Sequence, residues 1–229
     1  YNKSIQELYI GHNNMGTRGI KTLVAGLMEN STLEILDVSY NAMKKQGATI
    51  LSEAIQNTKS SNIRIIDVTC NKLGPAGMQA FAKLLAVDQK LEGFYVGRND
   101  LGPEGATTLG NALRVNYALK EIRVEGNEIG NIGAWMLVDS LGENEHRTSA
   151  VEKLALGWND IGLEGVTGIA DALKANSKLR RIDLTGNNIC CKGAQALAES
   201  LSYDLSLDEL ILAENNIKDE GAYAFALAM

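Results

Sequence analysis

The sequence predicts an α/β solenoid built from eight strand–turn–helix units, which begin near residues 5, 33, 63, 91, 119, 151, 179 and 207. Two observations lead to this prediction. An asparagine recurs every 28 to 32 residues, and a glycine follows each asparagine six residues later. The asparagines are Asn13, Asn41, Asn71, Asn99, Asn127, Asn159, Asn187 and Asn215. Self-similarity at such a period is typical of one structural unit stacked on copies of itself.

The first half of each unit predicts a short strand. The shared pattern is apolar-x-x-apolar-x-apolar-x-x-Asn-x-apolar, as in Leu33, Leu36, Val38, Asn41 and Met43. Apolar residues at the fourth and sixth positions bury one face of the strand. The chain must then turn inward, where an asparagine amide can satisfy backbone donors and acceptors of neighbouring units. We therefore interpret the eight asparagines as structural residues.

The second half of each unit predicts a helix of about three turns. Apolar or small residues follow the glycine at one, four and eight positions, as Ala106, Leu109 and Leu113 do in the fourth unit. This spacing lines one face of a helix. Pro75 and Pro103 lie early in their helices, where a missing N–H costs little.

An asparagine or aspartate lies seventeen residues after most of the ladder asparagines and is predicted to cap the helix in a left-handed conformation. These residues are Asn30, Asp88, Asn116, Asn144, Asn176 and Asp204. Two units carry extra residues between helix and next strand, at 56–62 and 143–150. The second insertion is polar, and we interpret it as a surface insertion, with a contact loop as the alternative.

These residues resemble the leucine-rich repeat family, and the 28-residue period with a full helix resembles its ribonuclease-inhibitor-like class. The resemblance covers essentially the whole chain. It implies a right-handed solenoid in a horseshoe arc, with a parallel sheet on the concave face and helices on the convex face. Curvature also has an independent reason, because strands stack about 4.8 Å apart whereas helices are about 10 Å across.

Composition narrows the function classes. Twenty-two basic and 28 acidic residues give a net charge of −6, which argues against a nucleic-acid partner. No apolar run approaches a membrane span, and no signal sequence precedes the first unit. Cys70, Cys190 and Cys191 form no disulfide-bearing cap, which favours a reducing, cytoplasmic location. Because neither end carries a polar cap, we expect residues 1–229 to form one monomeric repeat domain within a longer chain.

The sequence offers no catalytic, cofactor or metal constellation. His12 and His146 are far apart in the repeat order, and neither lies in a nucleophile setting. Cys190 and Cys191 have poor spacing for zinc and are interpreted as loop thiols. The Gly-x-x-Gly turns lack the Lys-Ser/Thr ending of a phosphate loop. We expect a protein that is not an enzyme and binds no cofactor or metal.

The concave face is the remaining candidate site, because the third, fifth and seventh positions of each strand point away from the core and the eighth lies at the rim. Exposed aromatic and arginine side chains dominate interface hot spots. The candidate partner-binding residues are Tyr9, Asp37, Tyr40, Asp67, Tyr95, Arg98, Arg123, Trp158 and Arg181. Tyr95, Arg98 and Arg123 are predicted to cluster near the middle of the arc, with Asp37 and Asp67 as an acidic patch nearby. The alternative is that these residues only decorate a solvated sheet.

Three function hypotheses follow. The leading one is a protein–protein interaction scaffold that binds a macromolecular partner on its concave face. The second is a GTPase-activating module similar to the Ran GTPase-activating protein, in which an exposed Arg98 or Arg123 would stabilise transition-state charge. The third is the sensing or autoinhibitory arm of a larger nucleotide-binding switch protein, as the similarity to nucleotide-binding immune receptors implies. A structural role in cytoskeletal or ciliary assemblies stays open.

Overall fold

A computed structural model describes residues 2–58, 60–142, 149–203 and 206–229. In these ranges eight strands alternate with eight helices, which confirms the predicted α/β solenoid. The strands are β1 (Glu7–Tyr9), β2 (Ile35–Asp37), β3 (Ile65–Asp67), β4 (Gly93–Tyr95), β5 (Glu121–Arg123), β6 (Lys153–Ala155), β7 (Arg181–Asp183) and β8 (Glu209–Ile211). The helices are α1 (Gly16–Leu27), α2 (Lys44–Asn57), α3 (Gly74–Leu85), α4 (Gly102–Leu113), α5 (Gly130–Asp139), α6 (Leu163–Leu173), α7 (Cys191–Leu201) and α8 (Lys218–Ala228).

The strands form one parallel sheet in sequence order, from β1 to β8. The register aligns equal positions of successive units, so that Asp37 pairs with Asp67 and Tyr95 pairs with Arg123. Each helix packs against the helices of the preceding and following units. Every repeat position therefore forms a column that runs across the sheet.

The core lies between the sheet and the helices. Fourth-position residues such as Leu36 and Phe94 are fully buried, as are helix residues such as Leu109. The rings of Phe81 and Phe94 lie 5.4 Å apart, within the range of favourable aromatic pairs. Since each unit buries its apolar face on its neighbours, stability is shared along the stack.

The asparagines of the ninth position form a continuous hydrogen-bonded ladder, as predicted. The Nδ2 group of Asn99 donates to the carbonyl oxygens of Val68 at 2.9 Å, Val96 at 3.0 Å and Gly97 at 3.0 Å. Its Oδ1 atom accepts the backbone N–H of Asn71 at 2.8 Å. Asn99 is completely buried. One side chain thus satisfies backbone groups of two units, which confirms its structural role.

The predicted left-handed helix caps are wrong at the four described positions. The Oδ1 atom of Asn116 accepts the backbone N–H of Ala118 at 3.0 Å and of Leu119 at 2.9 Å, while Nδ2 donates to the carbonyl oxygen of Leu85 at 2.7 Å. The same acceptor pattern occurs at Asn30, Asp88 and Asn176. None of the four has a positive φ. Each forms an Asx turn that starts the next strand, because a side-chain acceptor two residues upstream can replace a backbone turn.

Two predictions fall outside the described residues. The contact-loop alternative concerns 143–150, of which 143–148 are not described. The caps predicted at Asn144 and Asp204 lie there as well. Across the described ranges, no helix is both long enough and apolar enough to traverse a lipid bilayer.

Candidate functional site: the concave face

The concave face is the sheet surface opposite the helices, formed by the third, fifth, seventh and eighth positions of the units. It carries three adjoining cavities of about 340, 290 and 210 Å³. Their lining residues come from units three to seven. The middle of the arc therefore offers shaped, solvent-accessible space, whereas the opposite surface of the sheet is covered by helices.

The predicted central cluster is present. The Arg123 guanidinium lies 4.3 Å from the centroid of the Tyr95 ring, and its Nε donates to Glu121 Oε1 at 2.7 Å. Tyr95, Arg98 and Arg123 line one cavity together with Asp67. A cation–π contact stabilises an exposed pair by roughly 0.5–1 kcal/mol. Arg123 is thus held in place by two partners before any ligand arrives.

Rim residues of the eighth position all adopt a left-handed backbone. Their φ angles lie between 53° and 65°. The residues are His12, Tyr40, Cys70, Arg98, Gly126, Trp158, Gly186 and Glu214. For a residue other than glycine this conformation costs about 1 kcal/mol. The chain accepts that cost at six of the eight rim positions and also at tenth positions such as Ala42 and Asp100, so the left-handed backbone belongs to the turn that every unit repeats.

The two rim glycines make space for large neighbours. A Cβ atom at Gly186 would come within 2.4 Å of the Trp158 ring, and one at Gly126 would come within 3.1 Å of Arg98 Cγ. Trp158 lies over Gly186 and remains 52% exposed. The glycines therefore let Trp158 and Arg98 lie along the rim while both aromatic face and guanidinium stay accessible.

A second aromatic group lies on the first two units. Tyr40 stacks on His12 with ring centroids 3.8 Å apart and planes at 17°. The hydroxyl of Tyr9 donates to Glu7 Oε2 at 3.0 Å. A hydrogen bond with the Cys70 thiol raises the pKa of Tyr40 above its ordinary value. Tyr9 and Tyr40 are therefore separate from the cluster of Tyr95, Arg98 and Arg123, which belongs to units four and five.

Asp37 and Asp67 form the predicted acidic pair, yet their carboxylates also have local structural partners. The Oδ1 atom of Asp37 accepts the Ser39 N–H at 2.8 Å, and that of Asp67 accepts the Thr69 N–H at 2.8 Å. Burial raises the pKa of Asp67, although the hydrogen bonds from Thr69 oppose this shift. Both aspartates therefore shape the turn after the strand in addition to facing the concave surface.

Arg181, the last predicted site residue, lies on β7 and donates to Glu209 Oε2 at 2.6 Å. Its guanidinium lines the 340 Å³ cavity. It does not contribute to the cavity shared by Tyr95 and Arg98, among the residues that the structure describes. The structure therefore divides the predicted residues among three places on the face.

Glu125 is a site residue that the sequence reasoning did not single out. Seventh positions are otherwise small, and Glu125 lies between Gly97 and Gly157 of the neighbouring units. A Cβ atom at Gly97 would lie 3.4 Å from Glu125 Oε2. Burial raises the pKa of the Glu125 carboxyl. The sequence did contain a signal for Glu125, because it is a charged residue in a column of small ones and is flanked there by two glycines.

Chemistry beyond binding has little support in the described ranges. No group of three or more His, Cys, Asp or Glu side chains there could hold a metal ion. Cys190 precedes α7 and Cys191 begins it, so the pair lies at a helix start and not in a loop as predicted. Backbone N–H groups at this helix start, that of Gly193 first, lower the pKa of Cys190. The absence of catalysis stays a prediction.

Sequence comparison identifies the family. The family profile described as Leucine Rich repeat matches residues 1–24, 29–52, 59–82, 151–170, 175–198 and 204–226, more than half of the chain. The chain belongs to the leucine-rich repeat family. Units four and five lie outside the matched segments, yet they continue the parallel register and the asparagine ladder of this leucine-rich repeat protein. Members of the family are in general binding modules, which indicates an interaction domain.

The chain is also similar to solved structures. The tropomodulin C-terminal domain from Caenorhabditis elegans is 18% identical with a TM-score of 0.52, and the match covers 61% of this chain and 84% of that one. Leiomodin-1 Actin-Binding Site 2 is 12% identical with a TM-score of 0.43, over 78% and 87% of the two chains. TLR13 in complex with ssRNA13 is 15% identical with a TM-score of 0.49, over 93% and 30%. No curated protein sequence matches the chain. The likeness to the tropomodulin domain concerns the fold alone. The exclusion of nucleic acid stays a prediction.

Proposed function

We propose that this leucine-rich repeat domain binds a protein partner along its concave face, with Tyr95, Arg98, Arg123 and Trp158 as the central anchors. The observation that carries the proposal is their arrangement on one uncovered surface. Tyr95, Arg98 and Arg123 line the cavity of 290 Å³, and Trp158 lies exposed at the rim of the sixth unit. Such residues form hot spots when a partner buries them.

Two features reduce the cost of binding. The contact between Tyr95 and Arg123 and the bond to Glu121 fix one arginine in advance. Trp158 is supported by Gly186 below its ring. Ordering a flexible side chain costs roughly 0.5–1.5 kcal/mol on association, so side chains that are already held contribute more of their contact energy.

The test compares two triple variants in affinity capture followed by titration calorimetry of each captured protein. Tyr95, Arg98 and Trp158 are changed to alanine in the first variant. Loss of a hot-spot residue should weaken binding by roughly 2 kcal/mol or more, so the first variant should lose its partner. Circular dichroism and urea denaturation should show that the fold is kept.

The matched control changes exposed residues away from the concave face. Arg18, Tyr203 and Tyr223 lie on or beside α1, α7 and α8, and all three are exposed. Their replacement by alanine should leave partner binding unchanged. A partner retained by the folded concave-face variant, or lost by both variants equally, would contradict the proposed site.

A GTPase-activating module is the second candidate, and one observation favours it. Arg98 lies at the rim beside an open cavity, and among the described residues it forms no ion pair. An unpaired arginine could reach transition-state charge on a bound GTPase. Single-turnover GTP hydrolysis by a panel of small GTPases tests this idea, and no acceleration by the wild-type chain eliminates it.

We also propose a cytoplasmic location and a role as one domain of a longer, monomeric chain. Three free cysteines support a reducing compartment. The third hypothesis, a sensing or autoinhibitory arm, requires a nucleotide-binding module elsewhere in that chain. Cell fractionation of the full-length protein tests the location, and finding it in the secreted fraction would count against the proposal.

A further inference from the structure

The cavity lined by β5, β6 and β7 is a slot centred on unit six. Its floor is Ala155, whose strand neighbours are Arg123 on β5 and Asp183 on β7. Because the Ala155 methyl group is smaller than the side chains of Arg123 and Asp183, it leaves empty space in the column of fifth positions. Glu125, two residues after β5, completes the lining that β5, β6 and β7 provide. The slot has a volume of about 340 Å³.

The cations around the slot already have partners. Arg123 pairs with Glu121 at 2.5 Å, and Lys153 lies 3.9 Å from the same carboxylate. Arg181 pairs with Glu209 at 2.6 Å. Arg123 and Arg181 therefore each have a close carboxylate partner, while Lys153 lies at the distance limit of an ion pair with the carboxylate that Arg123 already uses.

The carboxylates on the other side of the slot are less well compensated. Neither Glu125 nor Asp183 forms an ion pair with any residue that the structure describes. Asp183 accepts one backbone N–H, from Thr185 at 2.9 Å. The carboxyl of Glu125 receives no hydrogen bond from another described residue. The lining holds three carboxylates and three cations, and two of those carboxylates, Glu125 and Asp183, have no ion-pair partner in the described chain, in a place where burial strengthens electrostatic attraction.

We propose that the slot receives a lysine or arginine side chain of the protein partner, with Glu125 as its main counter-ion and Asp183 as the second. This inference rests on the proposed function, since it names the chemistry of one side chain in the same interface. The alkyl part of the incoming side chain would lie on Ala155, which suits its apolar stem. Its charged group would reach the two carboxylates at the far wall.

Three model side chains test the inference without knowledge of the partner. The isotope-labelled 229-residue chain is titrated, at constant ionic strength, with three compounds that keep a free side chain: Nα-acetyl-arginine methylamide, Nα-acetyl-lysine methylamide and Nα-acetyl-glutamate methylamide. NMR follows the Ala155 methyl group and the Glu125 carboxyl carbon. We expect saturable shifts from the two cationic compounds, with dissociation constants on the order of 10 mM, because a single side chain makes few contacts.

Two isosteric variants isolate the charge of the slot. Glu125→Gln should weaken binding of the cationic compounds at least about fivefold, since one full charge is removed. Glu104→Gln makes the same change on the exposed start of α4, on the helical side, and should leave their binding unchanged. Ala155→Leu fills the floor of the slot without altering charge and should also prevent binding.

Several outcomes would overturn the inference. These are no shift with any compound, a stronger response to the glutamate compound, or wild-type binding by folded Glu125→Gln. Each differs from failure of the proposed function, which is read from partner binding by the alanine triple variant. Partner loss in that triple variant, together with an unresponsive slot, would leave the interface in place and remove only the cationic side chain.

Discussion

The eighth and ninth positions of each unit are adjacent in the chain and follow opposite rules. The ninth is asparagine in every unit, and the central copies are completely buried. The eighth differs widely, from glycine to tryptophan, and most of its side chains are exposed. The side chain at position nine bonds to backbone of its own unit and of the preceding one, so a change there is felt by both units. Position eight takes part in the repeat through its backbone N–H, as Arg98 does by donating to the carbonyl oxygen of Glu125, so its side chain can vary. The invariant ninth position therefore belongs to the scaffold, and the variable eighth position belongs to the candidate binding surface.

The largest expected effect is loss of a central ladder asparagine. Asn99→Ala removes partners from carbonyl groups of Val68, Val96 and Gly97 and from the N–H of Asn71. Because unsatisfied buried groups each cost roughly 1–3 kcal/mol, we expect the free energy of unfolding to fall by about 3 kcal/mol or more. Urea denaturation measures the change.

Asn13→Ala is the matched control for the ladder. Asn13 occupies the same position in the first unit but is exposed, and water can replace its bonds to Ile10 and Gly11. The cost should be clearly smaller than for Asn99→Ala. Equal costs at the two sites would show that burial does not set the importance of the ladder.

A methyl group at Gly186 should have the next largest effect. Gly186→Ala places a Cβ on a backbone with φ 65° and 2.4 Å from the Trp158 ring. We expect a destabilisation of about 2 kcal/mol, from backbone strain together with displacement of the ring. Tryptophan fluorescence should change as well, since the chain has two tryptophans and Trp158 is one of them.

Gly126→Ala provides the comparison for this effect. It carries the same backbone strain, but its Cβ would meet the flexible Arg98 side chain at 3.1 Å. The cost should be about 1 kcal/mol, and tryptophan fluorescence should not change. If Gly126→Ala lowered the free energy of unfolding more than Gly186→Ala does, the assigned role of Gly186 as support for Trp158 would be contradicted.

Replacing Arg98 by glycine should relieve backbone strain at the rim, so it should increase stability while it weakens partner binding. Arg98→Gly removes a left-handed residue and is expected to raise the free energy of unfolding by about 1 kcal/mol, while partner binding weakens. Arg98→Ala keeps the strain and should weaken binding without the gain in stability. The pair is compared by urea denaturation and calorimetry. If Arg98→Gly is no more stable than Arg98→Ala, the rim backbone is not strained by its side chains.

The smallest expected effect concerns the pH dependence of stability. Burial raises the folded-state pKa of Glu125; Arg123 opposes this rise, and Asp183 and Asp67 reinforce it. A raised carboxyl pKa favours the folded state only while the group is protonated. That contribution is complete below the unfolded pKa of about 4.3 and is lost as pH rises through the folded value.

Glu125→Gln should therefore be more stable than wild type at neutral pH; the difference should shrink as the pH falls through the raised folded pKa and should be smallest below pH about 4.3. Thermal denaturation at several pH values measures this difference. Glu104→Gln, exposed on α4, should show little of it. A Glu125→Gln variant that is less stable at neutral pH would show that the ionised carboxylate is compensated after all.

The repeat, the asparagine ladder and the columns of the sheet could all be predicted from the sequence. Each follows from local periodicity, and equal spacing forces equal positions to pair. For this reason the contact between Tyr95 and Arg123 was predictable from position numbers alone. The predicted Asn caps failed because an asparagine near a helix end fits two local structures, a left-handed cap or a turn into the next strand.

Three features became apparent from the folded structure alone: the left-handed rim, the packing of Trp158 on Gly186 and the pairing of charges on the concave face. Glu121 bonds to Arg123 and leaves Glu125 without an ion pair in the described chain. That choice depends on side-chain reach across neighbouring strands and on the space that Gly97 and Gly157 leave open. Periodicity places residues in columns, whereas distances between columns determine which charges compensate each other.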